Sequence, residues 1–258
     1  MIEILNRNIP KNPVSTVLFD FDGTISTLRY GWEKVMEPMM IEMLGDGSEE
    51  IVHAYIDEST GIQTILQMKW LTEQVKLRHG SALNPWDYKN EYNRRLMEVV
   101  SKRRNDLVNG KIQREDFLIA GSEELLKALC DMGAELYVAS GTDDADVKAE
   151  VQALGLAKYF KKVAGAPAGK ENCSKNEVIR DLLSGGVSAD RLAIAGDGKV
   201  EIMIGYENKA RTLGIASDEE KRFGINPVKR ERLVKAGADI ITGDFLDLDS
   251  LMKFFKGD

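Results

Sequence analysis

Short apolar, β-branched runs alternate along most of this chain with stretches whose apolar positions recur every three or four residues. The first pattern is that of a buried strand, the second that of a helix with one buried face. Strands are predicted at Val14–Phe19, Glu135–Ala139, Lys162–Ala164, Leu192–Ala195, Thr212–Ala216 and Ala238–Thr242. Helices are predicted at Ser122–Met132, Ala145–Leu154, Lys175–Leu183, Val200–Asn208, Pro227–Ala236 and Leu248–Phe255, two of them stopped by Gly133 and Gly237. Such alternation predicts an α/β fold, a Rossmann-like doubly wound parallel sheet with helices on both faces.

Between about Thr27 and Glu115 the rhythm changes to helices alone. Trp32, Val35, Met36, Met39, Met40, Met43 and Leu44 recur at i, i+3, i+4 spacing and read as one buried helical stripe. Pro38 lies inside it and predicts a kink. Gly61–Arg78 and Trp86–Leu107 also read as helical. The predicted organisation is a core of residues 1–27 and 116–258, interrupted by an all-helical insertion over 28–115.

The chain has 258 residues, 43% of them hydrophobic and 30% charged, which is the composition of a globular protein with a sizeable core. Its net charge of −7 argues against a nucleic-acid protein, whose affinity comes from clustered Lys and Arg. No apolar run approaches a membrane span, and the first residues lack the pattern of a secretory leader, so the expected location is cytoplasmic with no membrane partner. Cys130 and Cys173 form no zinc-type cluster and read as small apolar residues in a reducing compartment. Nothing in the pattern fixes an oligomeric state.

The chemistry-bearing residues fall at strand ends. The first strand runs into Asp20-Phe21-Asp22-Gly23-Thr24, and alternation along a strand puts Asp20 and Asp22 on one side. Two carboxylates there repel unless a cation or a shared proton compensates. Asp22-Gly23 alone is also an ordinary turn signature. The second strand ends at Ser140-Gly141, a hydroxyl and a free amide suited to an anion, followed by Thr142 and Asp143, which read as helix caps. Asp197 ends the fourth strand within Gly196-Asp197-Gly198, with Glu201 in the next helical turn. Lys175 opens a helix, where the dipole disfavours a cation and asks for an anionic neighbour; Lys170 competes for the same role.

Together these motifs resemble the haloacid dehalogenase superfamily over nearly the whole chain, from Val17 to Thr242. Asp20–Thr24 looks like its first motif, Ser140 its second, Lys175 its third and Gly196–Glu201 its fourth; the helical insertion resembles the family's C1-type cap, as in phosphoglycolate-phosphatase-like and β-phosphoglucomutase-like members. The resemblance implies Asp20 as nucleophile and Asp22 as general acid and base. It implies Mg²⁺ held by Asp20, the Asp22 main-chain carbonyl and Asp197, with phosphate oxygens held by Ser140, the Gly141 amide and Lys175. Family members commonly have aspartate at the position of Glu201, so its metal contact is expected through water. Dehalogenase members lack an acid at the position of Asp22, which sets that activity aside. The expected function is a Mg²⁺-dependent phosphatase acting on a small phosphorylated metabolite through an aspartyl-phosphate. The alternatives are a β-phosphoglucomutase-type phosphomutase and, third, a non-catalytic phosphate-binding protein. A cap loop around Ser59–Gln63, with Thr60 and Gly61, is the expected substrate contact. Arg29, Tyr30 and Trp32 are candidate entrance residues.

Overall fold

The computed structural model describes residues 2–6, 8–171 and 174–258. In chain order it contains β1 (Ile2–Ile4), β2 (Thr16–Phe19), helices α1 (Glu33–Leu44), α2 (Glu49–Ser59), α3 (Thr64–His79) and α4 (Pro85–Val108), then α5 (Ser122–Asp131), β3 (Glu135–Asp143), α6 (Asp144–Ala153) and β4 (Phe160–Ala166). The chain continues through α7 (Ser174–Ser184), β5 (Leu192–Gly196), α8 (Lys199–Glu207), β6 (Arg211–Ile215), α9 (Pro227–Ala236), β7 (Ile240–Thr242) and α10 (Leu248–Lys256).

The strands form one sheet in the order β1-β7-β6-β5-β2-β3-β4. All pairings are parallel except β1 with β7. The sheet is therefore mixed, where a purely parallel one is predicted from the pattern. An antiparallel edge strand on a parallel sheet is a common arrangement, and three residues are too few for periodicity to register. The central strands β2, β5 and β6 are buried at every position, with Thr16, Arg211 and Thr212 the polar residues among otherwise apolar or glycine positions. One core packs Val17, Phe19, Val138 and Leu213 against Leu125, Val147 and Phe255; a second lies on the other face around Leu18, Ile179 and Ile194.

Residues 33–108 contribute helices and no strand among the described residues. They bury a core of their own, with Met36, Met39, Met40 and Leu44 of α1 against Met68 and Leu71 of α3 and Leu96 of α4. The apolar stripe is thus the insertion's own core. Pro38 sits on the exposed face of α1, and the helix runs through it. Helix α2 was not among the predicted elements, though Val52 and Ile56 at i, i+4 carry its buried face. The two connections to the sheet pair with each other: the Thr27 amide donates to the Phe117 carbonyl at 2.9 Å, and the Ile119 amide to the Ile25 carbonyl at 3.0 Å. No described helix is long and apolar enough to cross a membrane. Cys130 is a free, part-buried thiol, and Cys173 lies outside the described residues.

The return connection is fixed by main chain. Phe245 donates to the Ala120 carbonyl at 2.8 Å, and Gly121, at φ +81°, leaves a Cβ position only 2.6 Å from the Phe245 carbonyl carbon. Gly121→Ala combines a left-handed backbone with a backbone clash. It is expected to lower unfolding stability by about 1–3 kcal/mol, read as a reduced urea midpoint.

Candidate active site

Strand register gathers the chemistry. Phe19 of β2 lies between Val138 of β3 and Ala195 of β5, and the Asp20 amide donates to the Ala195 carbonyl at 2.8 Å. Asp20, Ser140 and Asp197 each follow within two residues of this row, so they leave the sheet together at its carboxyl edge. Strands β3 and β4 lie on one side of β2 and β5, β6 and β7 on the other, which makes this the topological switch point where α/β sheets bind ligands.

A cavity of about 110 Å³ opens there. Asp20, Asp22, Ser140, Gly141, Lys175 and Asp197 line it from the sheet side, and Thr60 and Gly61 from the helical insertion. Arg29 and Trp32 also face it, whereas Tyr30 turns away to Glu220. Glu201 stands behind Lys175 and pairs with its ammonium. That ammonium is buried, lies 3.0 Å from Asp20 Oδ1 and reaches the Gly61 carbonyl at 3.5 Å. Lys170 is exposed and does not line the cavity.

Asp22 is held differently. Its Oδ2 accepts from the Thr142 hydroxyl at 2.8 Å and the Ser140 hydroxyl at 3.3 Å, while its buried Oδ1 has no hydrogen-bond partner. Thr142 and Asp143 are therefore not the helix caps their sequence suggests. Asp143 makes no side-chain cap to α6; it pairs instead with Lys89 and accepts from the Asn93 amide at 2.8 Å. Both partners come from α4, so this contact joins the insertion to the sheet. The loop after α2 makes a second junction. A Cβ on Gly61 would lie 3.3 Å from the Gly198 Cα, and one on Gly141 would lie 3.4 Å from the Ile62 carbonyl oxygen.

Two groups of functional neighbours escaped the sequence reading. Lys229 of α9 donates to Asp197 Oδ2 at 2.7 Å, to Glu219 at 2.6 Å and to the Ser217 hydroxyl at 3.2 Å. Ser217 in turn donates to the Gly23 carbonyl at 2.5 Å, tying the first and fourth motifs together. A signal was present: Lys229 lies in the first turn of a helix, the same unfavourable placement that singles out Lys175. Glu219, on an irregular loop, carries no comparable signal. The second is Glu150, the partner of Arg29, itself one of the candidate entrance residues. The guanidinium donates to Glu150 through Nε at 3.1 Å and Nη2 at 2.7 Å, and its Nε lies 3.9 Å from Asp22 Oδ1.

Burial dominates the electrostatics. It pushes the Asp20 carboxyl up to about 7 against the attraction of Lys175, with Asp197 and Asp22 adding to the rise. Glu219 is pushed up to about 7 by burial against the pull of Lys229. Burial likewise raises Glu150 to about 7 against the pull of Arg29. For Arg29 itself burial opposes the charge, but Glu150, Asp22 and Asp146 outweigh it and the guanidinium is held above its ordinary value.

These residues suit a hard cation. Asp20 and Asp197 offer oxygen donors at one edge, and Gly23, at φ +71°, brings the main chain so close that a Cβ would lie 2.3 Å from Asp197 Oδ2. Among the described residues no group of three or more His, Cys, Asp or Glu side chains is already gathered as a ligand cluster.

The family of haloacid dehalogenase-like hydrolases matches residues 14–204. The chain belongs to this family. It is 24% identical over 214 residues to a 5'-nucleotidase of Pseudomonas aeruginosa, covering 80% of this chain and 86% of that one. Its fold resembles a predicted phosphatase from Clostridium acetobutylicum, with TM-score 0.62, 20% identity, and coverage of 94% of this chain and 98% of that one. It also resembles a β-phosphoglucomutase from Clostridium difficile, with TM-score 0.65, 13% identity, and coverage of 94% and 97%. The chain is thus a haloacid dehalogenase-like hydrolase, and its phosphatase-named relatives are consistent with a phosphoric monoester hydrolase.

Arg29→Met would leave the Glu150 carboxylate buried without its cation. The expected loss of unfolding stability is about 3–5 kcal/mol at mildly alkaline pH. The carboxyl already sits above its unfolded value, so the loss should shrink as pH falls through its folded pKa and the group protonates. Denaturant titrations at the two pH values check both the size and the sign.

Proposed function

We propose that this hydrolase is a Mg²⁺-dependent phosphatase that removes phosphate from a small phosphorylated metabolite through an aspartyl-phosphate on Asp20. The observation that carries this reading is the Asp20–Lys175 contact at 3.0 Å inside a cavity that Asp22 shares. Residues 28–115 act as a cap that covers the site and keeps bulk water from the reacting groups.

In the first half-reaction an Asp20 oxygen attacks phosphorus and the ester P–O bond breaks. Asp22 delivers a proton to the departing alkoxide. The Thr142 and Ser140 hydroxyls both engage Oδ2 of Asp22, which leaves Oδ1 to carry that proton toward the leaving group. In the second half-reaction Asp22 takes a proton from water, the oxygen attacks phosphorus, and the acyl-phosphate bond breaks. Inorganic phosphate and the Asp20 carboxylate result. Lys175 and the Gly141 amide hold the phosphoryl oxygens throughout, and the Ser140 hydroxyl joins them by turning its one hydrogen from Asp22 to the phosphoryl group, leaving Thr142 on Oδ2.

Asp20, Asp197 and the Asp22 main-chain carbonyl would hold Mg²⁺. When bound, the ion supplies the positive charge that lets Asp20 stay ionised beside a phosphate dianion. Lys229 steadies Asp197 from behind, and its pairing with Glu219 keeps that ammonium from drifting into the cavity.

With p-nitrophenyl phosphate and Mg²⁺, turnover is expected, and Asp20→Asn should lower it by at least about 10³-fold. Wild-type rates in that blank would remove the nucleophile assignment. Chelation by EDTA should abolish turnover and added Mg²⁺ restore it. Asp22→Asn should cost far more with an alkyl phosphate, whose alkoxide needs a proton, than with the p-nitrophenyl ester, whose leaving group does not. Equal losses on both esters would argue against Asp22 as the acid.

A further inference from the structure

The walls of the cavity also limit what can be attached to the phosphate. Among the described residues, the cations that face it are Arg29 and Lys175. Each is already committed. Lys175 carries Asp20 and Glu201; Arg29 carries Glu150 at 2.7 Å, Asp146 at 3.7 Å and Asp22 at 3.9 Å. Three carboxylates surround Arg29, and Asp146 is shared with Arg104 at 4.0 Å, so the guanidinium is fully engaged and is not free for a second anion.

On the insertion side the lining is neutral. Trp32 and Leu96 are apolar; Thr60, Gln67, Tyr92 and Asn93 are uncharged hydrogen-bonding groups. Burial holds the Tyr92 hydroxyl above its ordinary value, so it stays a neutral donor. At the rim stands Asp143, a carboxylate, and the one lysine beside it, Lys89, is bound to it. A carboxylate or second phosphate on the leaving group would therefore meet paired cations and an acidic rim, and would exchange its water for neutral donors with no free cation to balance its charge.

We infer that the site selects phosphate monoesters whose leaving alcohol is uncharged and hydroxyl-bearing, and rejects those carrying a second anionic group. This rests on the phosphatase reading above and narrows it. Phosphoglycolate falls on the rejected side, as does any bisphosphate that a phosphomutase cycle would need.

The test is a matched pair, 2-hydroxyethyl phosphate and 2-phosphoglycolate, which differ only in a CH₂OH against a carboxylate. With Mg²⁺ near neutral pH, kcat/KM for the hydroxyethyl ester should exceed that for phosphoglycolate by at least about ten-fold. Asp143→Asn, which removes the carboxylate from the cavity rim, should shrink that ratio by several-fold. Parity or a preference for phosphoglycolate in the wild type overturns the inference, and so does an unchanged ratio in a folded Asp143→Asn protein. p-Nitrophenyl phosphate separates the two levels. If it is hydrolysed while phosphoglycolate is preferred, only the selectivity falls; if no ester is hydrolysed, the phosphatase reading fails and takes this inference with it.

Discussion

The interaction on which the rest depends is the withdrawal of several carboxylates from water at one edge of the sheet. Asp20, Asp197 and Glu201 are all buried, and Glu219 nearly so. Two lysines compensate them, Lys175 between Asp20 and Glu201, and Lys229 between Asp197 and Glu219. Lys175 bridges Asp20, which faces the cavity, and Glu201 behind it; Lys229 bridges Asp197 and Glu219, which both line the cavity. Such buried pairs contribute little net stability, because desolvation consumes most of their attraction. Their effect is positional: each reactive carboxylate has its orientation fixed by a cation that is itself held from the far side. The stability they do not supply comes from the fully buried strands β2, β5 and β6, which run directly beneath them.

This division explains why the fold was legible in sequence. Strands buried on both faces must be continuous apolar runs, and every predicted strand after Val14 has its counterpart within a few residues. The exceptions have physical causes. Strand β1 is three residues at an edge, with one face half-exposed, and leaves no periodic trace. The β3 strand continues past Ala139 to Asp143 because Ser140, Thr142 and Asp143 bond to Asp22 and to α4, contacts that overrode the capping preference of those residue types.

The site was legible to the extent that its residues sit at strand ends in a fixed order. Asp20, Asp22, Ser140, Gly141, Lys175 and Asp197 converge because parallel register aligns the ends of β2, β3 and β5. Thr60 and Gly61 reach the same cavity from a loop flanked by helices. What the sequence concealed was support arriving from elements far along the chain. Lys229 approaches across the sheet edge from α9, and Glu150 reaches Arg29 over a separation of 121 residues. No local pattern encodes such pairings. A cation in the first turn of α9 was the single local clue, since it contradicts the helix dipole and so requires an anion nearby.

The two junctions between cap and core differ in kind, and the difference bears on selectivity. At Gly61, Gly198 and Gly141 the contact is main chain against main chain, too close for a β-carbon between Gly61 and Gly198 without displacement. The glycines themselves present no side chain with which to read a ligand, and that part falls to their neighbour Thr60. The opposite wall is made of Trp32, Tyr92, Asn93 and Leu96, and is anchored by the Lys89–Asp143 pair. Trp32, Tyr92 and Leu96 touch neither the glycine contact nor the Asp20–Lys175 and Asp197–Lys229 pairs, whereas Asn93 also holds Asp143. Chemistry and closure are thus built from backbone register and buried charge, which tolerate little substitution. On the proposed reading, recognition is left to the neutral wall formed by Trp32 and α4, where replacing one side chain would alter what is admitted and leave the reacting groups in place.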